Sequence, residues 1–143
     1  MKREPFTILL VDDDPDCRSL VREALARAYP CSDIREADNG AEALAFLHKE
    51  GRHAKAPRAD LIYLDIEMPG LSGQEVLKLI RFDPDLRTIP VIILTGLEDD
   101  ALTAQAQAGG ASGFVRKPVE PKCFTERILN AGQPWLGPVG LNP

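Results

Sequence analysis

Short apolar segments alternate along the chain with segments whose apolar residues recur every three or four positions. A continuous apolar run of strand length is typical of a strand buried on both faces, and the longer spacing is typical of an amphipathic helix. The pattern predicts strands at Phe6–Val11, Ile34–Ala37, Asp60–Asp65, Pro90–Thr95 and Gly113–Arg116. It predicts helices at Pro15–Ala28, Ala41–His48, Gly73–Phe82 and Asp99–Ala108, and a fifth that starts at Pro121.

These repeats of a strand followed by a helix, joined by short links, indicate an α/β fold with a doubly wound parallel sheet. One domain accounts for residues 1–130. Residues 131–143 contain three prolines and three glycines, so we expect an irregular tail there. Trp135 in this tail could anchor a homodimer or fold back onto its own domain, and the sequence leaves both open.

The bulk composition narrows the classes of function. The chain has 143 residues, of which 44% are hydrophobic and 27% charged, as in a single soluble domain. Its net charge of -5 disfavours binding to DNA, because phosphate backbones are also negative. No stretch is long enough to span a membrane and no leader-like pattern precedes the first strand, so we expect a cytoplasmic protein. The three cysteines have no metal-binding spacing and are expected to be reduced thiols.

Polar side chains follow the predicted strands at their carboxyl ends, where open parallel sheets bind ligands. These residues are Asp12, Asp13, Asp65, Thr95 and Lys117. Three carboxylates about 4 Å apart would repel by roughly 4 kcal/mol per pair at an effective dielectric constant of about 20, so they need protons or a cation. Oxygen ligands at such a site favour Mg²⁺. Asp65 is then a candidate nucleophile toward a phosphoryl group whose oxygens Lys117 and Thr95 could hold.

Four motifs at these strand ends resemble those of response-regulator receiver domains. They are LVDDDP at Leu10–Pro15, LDIEMPG at Leu64–Gly70, LTG at Leu94–Gly96 and RKP at Arg116–Pro118, and the likeness covers about residues 6–130. The resemblance implies a flavodoxin-like fold with strand order 2-1-3-4-5. It also implies a stand-alone phosphoacceptor switch, whose only chemistry is its own phosphotransfer and dephosphorylation.

The resemblance assigns roles to the residues at the strand ends. Asp65 would accept a phosphoryl group from a sensor histidine kinase. Asp13 would bind Mg²⁺ directly, Asp12 mainly through water, and Glu67 through its backbone carbonyl. Lys117 would pair with the phosphoryl group and precede a cis Pro118.

The same family pattern predicts a switch and its partners. Thr95 would move toward the phosphoryl group and Phe114 would report the movement, although many relatives carry a tyrosine at the position of Phe114. The loop at residues 51–59 and the segment Asp83–Pro90 resemble regulators that serve phytochrome-type histidine kinases. Output would pass through protein contacts, a homodimer among them, and no DNA-binding unit follows the fifth helix.

Two other functions are compatible with parts of the sequence. A haloacid-dehalogenase-like phosphatase would use Asp12 as its nucleophile, but Pro15 and Asp16 replace the small residues that its motif expects. A receiver-like interaction module would commonly lack the acidic pair, the acceptor or the lysine, which are all present here.

Two further groups of polar residues have simpler interpretations. Asp14 could be a metal ligand, but its position before Pro15 favours a helix cap. His48 and His53 are expected to be solvated surface residues.

Overall fold

The computed structural model describes residues 6–96, 100–117 and 121–137. Strands and α-helices alternate along these ranges, and a short 3₁₀ turn lies at Gly51–His53. The elements are β1 Thr7–Val11, α1 Pro15–Ala28, β2 Asp33–Ala37, α2 Gly40–Leu47, β3 Leu61–Asp65, α3 Gly73–Phe82, β4 Val91–Thr95, α4 Asp100–Ala108, β5 Gly113–Arg116 and α5 Pro121–Leu136. Among the described helices, none is long and apolar enough to cross a membrane.

The strands form one parallel sheet in the order β2-β1-β3-β4-β5, which confirms the predicted flavodoxin-like topology. The three central strands β1, β3 and β4 are buried along their whole length. In β1 and β3, Val11 lies opposite Leu64. Asp12 and Asp65, which follow these two residues, therefore leave the sheet side by side.

Helices cover both faces of the sheet and create two apolar layers. Leu9 and Val11 of β1 point into the layer under α2, α3 and α4, whereas Ile8 and Leu10 point into the layer under α1 and α5. Successive side chains of a strand alternate between faces, so a strand covered on both sides is apolar at every position. This double burial explains the continuous apolar runs of the sequence.

Side-chain caps fix where the helices begin. The Asp14 carboxylate accepts a hydrogen bond from the Asp16 amide at 2.9 Å, so the expected cap of α1 is confirmed. Ser72 and Glu75 form a capping box at the start of α3. Because these caps are encoded locally, the predicted starts of α1 and α3 match the structure.

The expected irregular tail is wrong for residues 131–136, because α5 continues to Leu136 in spite of Pro134. Trp135 and Leu136 pack against the apolar layer under α1 and α5, and Gly132 is buried against Tyr63. This burial stabilises helical turns that the composition alone disfavours. Trp135 thus folds back onto its own domain, while residues 138–143 lie outside the described ranges.

Two tyrosine hydroxyls also donate hydrogen bonds to backbone carbonyls of α5 and of the residue that follows it. Tyr29, at the end of α1, donates a hydrogen bond of 2.6 Å to the carbonyl oxygen of Gly137. The hydroxyl of Tyr63 donates a second one, of 2.7 Å, to the carbonyl of Ile128 within the same helix. Hydrogen bonds from the end of α1 and from β3 therefore hold the end and the middle of α5.

His53 corrects a second expectation, because it is not a solvated surface residue. Only 18% of its side chain is exposed, and its Nε2 lies 2.9 Å from Glu42 Oε2. Its ring stands edge-on to that of Phe46. His48 is 40% exposed, as expected of a surface residue, and pairs with Asp83 at 2.9 Å.

We expect Gly132→Ala to lower the free energy of unfolding by about 1–3 kcal/mol, because the added methyl group would collide with the Tyr63 hydroxyl. In a helix that is not docked, the same change would raise stability by up to about 1 kcal/mol, since alanine is the better helix former. Chemical denaturation followed by circular dichroism measures the sign.

Tyr63→Phe provides the matched background for this test. It removes the hydroxyl that the new methyl group would meet, so Gly132→Ala should cost less there than in the wild type. A Gly132→Ala protein that is more stable than the wild type would contradict the docking of α5.

Candidate functional site

Three carboxylates meet at the carboxyl edge of the sheet. Asp12 and Asp13 follow β1, Asp65 ends β3, and one oxygen from each lies within 4.8 Å of the others. The side chains of Asp12 and Asp65 are almost fully buried, at 1% and 2% exposure, whereas Asp13 is exposed. The site thus has a buried floor and one ligand group at its mouth.

Lys117 brings a positive charge to this acidic edge. Its Nζ lies 3.1 Å from Asp12 Oδ2 and 3.1 Å from Asp65 Oδ2. The backbone amide of Lys117 donates to the Thr95 carbonyl at 2.7 Å, which extends the pairing of β4 with β5 and aims the side chain at the site. Burial alone would lower the pKa of Lys117, but the two carboxylates outweigh it and raise that pKa.

The pKa values of the two inner carboxyl groups are shifted in opposite directions. It raises the pKa of Asp65 to about 7, and the neighbouring Asp12 carboxylate adds to the rise. Burial acts on Asp12 in the same direction, but hydrogen bonds from Cys17 and the Asp14 amide, with the attraction of Lys117, outweigh it and lower the pKa of Asp12. Asp12 therefore stays ionised, while Asp65 takes up a proton near neutral pH.

The acidic edge fits a divalent cation. Asp12 Oδ2 is buried and accepts no hydrogen bond, although Lys117 Nζ is close to it. Three carboxylates against the lysine ammonium leave negative charge to be balanced. Carboxylate oxygens suit hard divalent ions such as Mg²⁺ and Mn²⁺.

Glu67 contributes a contact that the sequence did not predict. Its backbone amide donates to Asp65 Oδ1 at 3.0 Å, and its side-chain Oε1 accepts a hydrogen bond of 3.0 Å from the Gly96 amide. The side chain thus links the loop after β3 to the end of β4. The only hint in the sequence is a carboxylate two positions after Asp65, which is too common to indicate this partner.

Thr95 and Phe114 lie on the same face of the sheet but not at the same level. Thr95 is buried at the end of β4. Phe114 pairs with Ile93, two residues earlier in that strand, and its half-buried ring packs against the apolar layer under α2, α3 and α4. Pro118, which the family pattern makes a cis proline after Lys117, lies outside the described residues.

Cys17, in the first turn of α1, is a further neighbour of Asp12. Burial raises the pKa of its thiol to about 12, and the hydrogen bond with Asp12 adds to the rise. A thiol with so high a pKa is a poor nucleophile at neutral pH. Cys17 therefore supports the Asp12 carboxylate and takes no part in covalent chemistry.

Several curated proteins are similar to this chain in sequence. The chain is 38% identical over 102 residues to response regulator Rcp1 of Synechocystis sp., a match that covers 70% of this chain and 69% of Rcp1. The nitrate/nitrite response regulator NarL of Escherichia coli is 34% identical over 129 residues, and the chain spans 56% of the length of that protein.

Solved structures of response regulators share the fold of this chain. The phosphorylated cyanobacterial phytochrome response regulator RcpA is 29% identical, with a TM-score of 0.87 over 94% of this chain and 98% of RcpA. The Mn²⁺-bound form of Rcp1 is 30% identical, with a TM-score of 0.87 over 97% of this chain and all of that one. Residues 8–129 match the family model of the response regulator receiver domain, and the chain therefore belongs to that family.

Proposed function

We propose that this receiver domain accepts a phosphoryl group on Asp65 from a sensor histidine kinase, in a Mg²⁺-dependent reaction that changes its protein contacts. The observation that carries the proposal is the position of Asp65, whose Oδ2 lies 3.1 Å from Lys117 Nζ. The carboxylates of Asp12 and Asp13 lie within 4.8 Å of the same residue. A nucleophile, a fixed cation and a set of metal ligands thus share one strand end.

The proposed transfer is a displacement at phosphorus. A carboxylate oxygen of Asp65 forms the new O–P bond while the P–N bond to the kinase histidine breaks, and the imidazole leaves. The Lys117 ammonium then faces phosphoryl oxygens where it had faced the carboxylate. Asp65 must be deprotonated to attack, and its pKa of about 7 makes the attraction of Lys117 and of a bound cation important.

Asp12, Asp13, Asp65 and the backbone carbonyl of Glu67 are the proposed metal ligands. Bound there, Mg²⁺ would offset the negative charge of the phosphoryl oxygens as it develops. Mg²⁺ is proposed over other divalent ions because the ligands are hard oxygens at a partly wet edge.

Thr95 and Phe114 are the proposed switch. Thr95 ends β4 beside the acceptor, and the half-buried ring of Phe114 lies on the same sheet face. Movement of the Thr95 hydroxyl toward the phosphoryl group would open space for that ring. A near-complete swing between two such states takes about 5.5 kcal/mol of differential binding.

The proposed partners are inferred from the similar response regulators. RcpA, a phytochrome response regulator, supports a phytochrome-type kinase as the phosphoryl donor. We propose a cytoplasmic switch that acts only on its own phosphoryl group, pairs with a second copy and does not bind DNA, which its net charge of -5 disfavours.

The charges at the site favour Asp65 over Asp12 as the nucleophile. Each of the two carboxylates accepts one backbone amide and lies 3.1 Å from Lys117 Nζ. Asp12 also accepts a hydrogen bond from Cys17, and its pKa is lowered, whereas the pKa of Asp65 is raised. A carboxylate stabilised in this way is a weaker nucleophile. The phosphatase interpretation, which needs Asp12 as the nucleophile, is therefore the less favourable one.

Incubation with acetyl phosphate and Mg²⁺ should add one phosphoryl group, visible by intact-mass spectrometry. Borohydride trapping and peptide mapping should place it on Asp65, because the contacts of that carboxylate stabilise its charge less than those of Asp12 do. Asp65→Asn should abolish the addition and keep the fold. Modification of Asp12 would instead favour a phosphatase, and no modification by either acetyl phosphate or a histidine kinase would remove the phosphoacceptor role.

Asp13→Asn and Asp14→Asn make a matched pair of adjacent substitutions. We expect Asp13→Asn to weaken Mg²⁺ binding about tenfold or more, since it removes one charge from the ligand set. Asp14→Asn should leave the affinity nearly unchanged and still cap α1, because asparagine caps as well as aspartate. Calorimetric titration with Mg²⁺ compares the two, and equal affinities would exclude Asp13 from the metal site.

Asp65→Asn also tests the electrostatic strain of the site. The folded state holds the pKa of Asp65 at about 7, above the ordinary value of 3.8, so it binds an extra proton between those values. The stability that this proton provides is present at low pH and is lost as the pH rises through about 7.

In metal-free buffer at about pH 8, we therefore expect Asp65→Asn to raise Tm by a few degrees, and the advantage to vanish toward about pH 4. Mg²⁺ should shrink the difference, because it should bind the wild type, which has the third carboxylate, more tightly than the variant. Thermal unfolding across this pH range measures it. A Tm difference that does not vary with pH would show that Asp65 carries no such strain.

A further inference from the structure

An open groove runs between α3 and α4, away from the acidic edge. Its volume is about 390 Å³. Leu77 and Ala106, each 1% exposed, form its floor. Lys78 and Phe82 of α3 form one wall, and Ala108 belongs to the other.

Small residues at the end of α4 leave space on that side of the groove. Ala108 and Gly109 line that wall, where larger residues would fill the space. At one end a hydrogen bond of 3.3 Å joins Gln74 to Gln105 across the groove. Arg81 is fixed beside it by hydrogen bonds to the carbonyls of Gly110 and Ile89, so the groove is a built feature of the fold.

Phe82 stands beside the groove with 75% of its surface exposed. Leu79 is the other large apolar residue that is exposed among the described residues, at 47%. Complete burial of a phenylalanine side chain is worth about 1.5–3 kcal/mol. The same face therefore presents a projecting aromatic ring and, next to it, an apolar groove.

We propose that this α3–α4 face is a self-association surface on which Phe82 of each copy enters the groove of the other. A two-fold axis satisfies both contacts at once, because a face that carries a projection and its receptor is self-complementary. The groove is large enough, since a cavity of about 150 Å³ already holds a benzene molecule. The occupant is a second copy of this chain.

The charges around Phe82 favour the same occupant. Lys78 on the groove wall makes no ion pair within the described part of the chain. Asp83 and Asp85 lie one and three positions after Phe82, and Asp83 is engaged by His48. In the proposed dimer, the exposed Asp85 would pair with the partner's Lys78. Two such pairs would offset part of the repulsion between chains of net charge -5.

Sedimentation equilibrium of the unphosphorylated full chain, over micromolar to millimolar concentrations, tests the proposal. We expect a reversible monomer–dimer equilibrium that Phe82→Ala weakens at least about tenfold, as for a central aromatic contact. Leu79→Ala is the matched control, because it removes an exposed apolar side chain of the same helix that does not line the groove. It should leave the dimer constant nearly unchanged.

Charge reversal distinguishes this specific contact from non-specific association. Lys78→Glu and Asp85→Lys should each weaken the dimer, and the double variant should recover most of the loss. Circular dichroism controls for folding, and all of these side chains are exposed.

A chain that stays monomeric at every concentration would overturn the proposal, and so would a dimer that Phe82→Ala leaves unchanged. The contact depends only on α3 and α4. Sedimentation measures this dimer and mass spectrometry measures phosphorylation at Asp65. The failure of one proposal is therefore distinguished from the failure of the other.

Discussion

The parallel pairing of β1 with β3 forces two carboxylates together at the edge of the sheet. Val11 and Leu64 are register partners, so the residues that follow them leave neighbouring strands that are about 4.8 Å apart. Both strands are buried on both faces, and neither can shift without exposing apolar side chains. The packing of the sheet thus holds Asp12 beside Asp65 against their mutual repulsion.

Other groups of the site offset part of that repulsion. Lys117 reaches both inner carboxylates because β5 ends in register with β4, and the amides of Asp14 and Glu67 each donate to one of them. The compensation is uneven, so Asp12 stays ionised while the pKa of Asp65 rises to about 7. The two carboxyl groups of such a coupled pair bind protons in steps that belong to the pair and not to either residue. A change of charge near one of them therefore also acts on the other.

The sequence predicted those features that depend on local pattern. Apolar runs marked the strands, polar residues after them marked Asp12, Asp65 and Lys117, and the cap at Asp14 marked the start of α1. It failed where tertiary contacts decide. The prolines and glycines after Ala131 suggested a tail, yet Gly132 is the residue that lets α5 approach Tyr63 closely. Likewise, the split between the two carboxyl pKa values depends on burial and partners that only the folded chain defines.

The groove and the acidic edge are joined by one element. Helix α4 forms a wall of the groove and begins at Asp100, five positions after Thr95. In the proposed switch, a displacement of the end of β4 toward a phosphoryl group would reach the helix that shapes the proposed self-association face. Binding linkage is reciprocal, so a dimer contact that prefers one position of α4 must change the affinity of the site for its phosphoryl ligand by the same factor. The small residues Ala106, Ala108 and Gly109 leave the groove open beside the helix that follows the proposed switch.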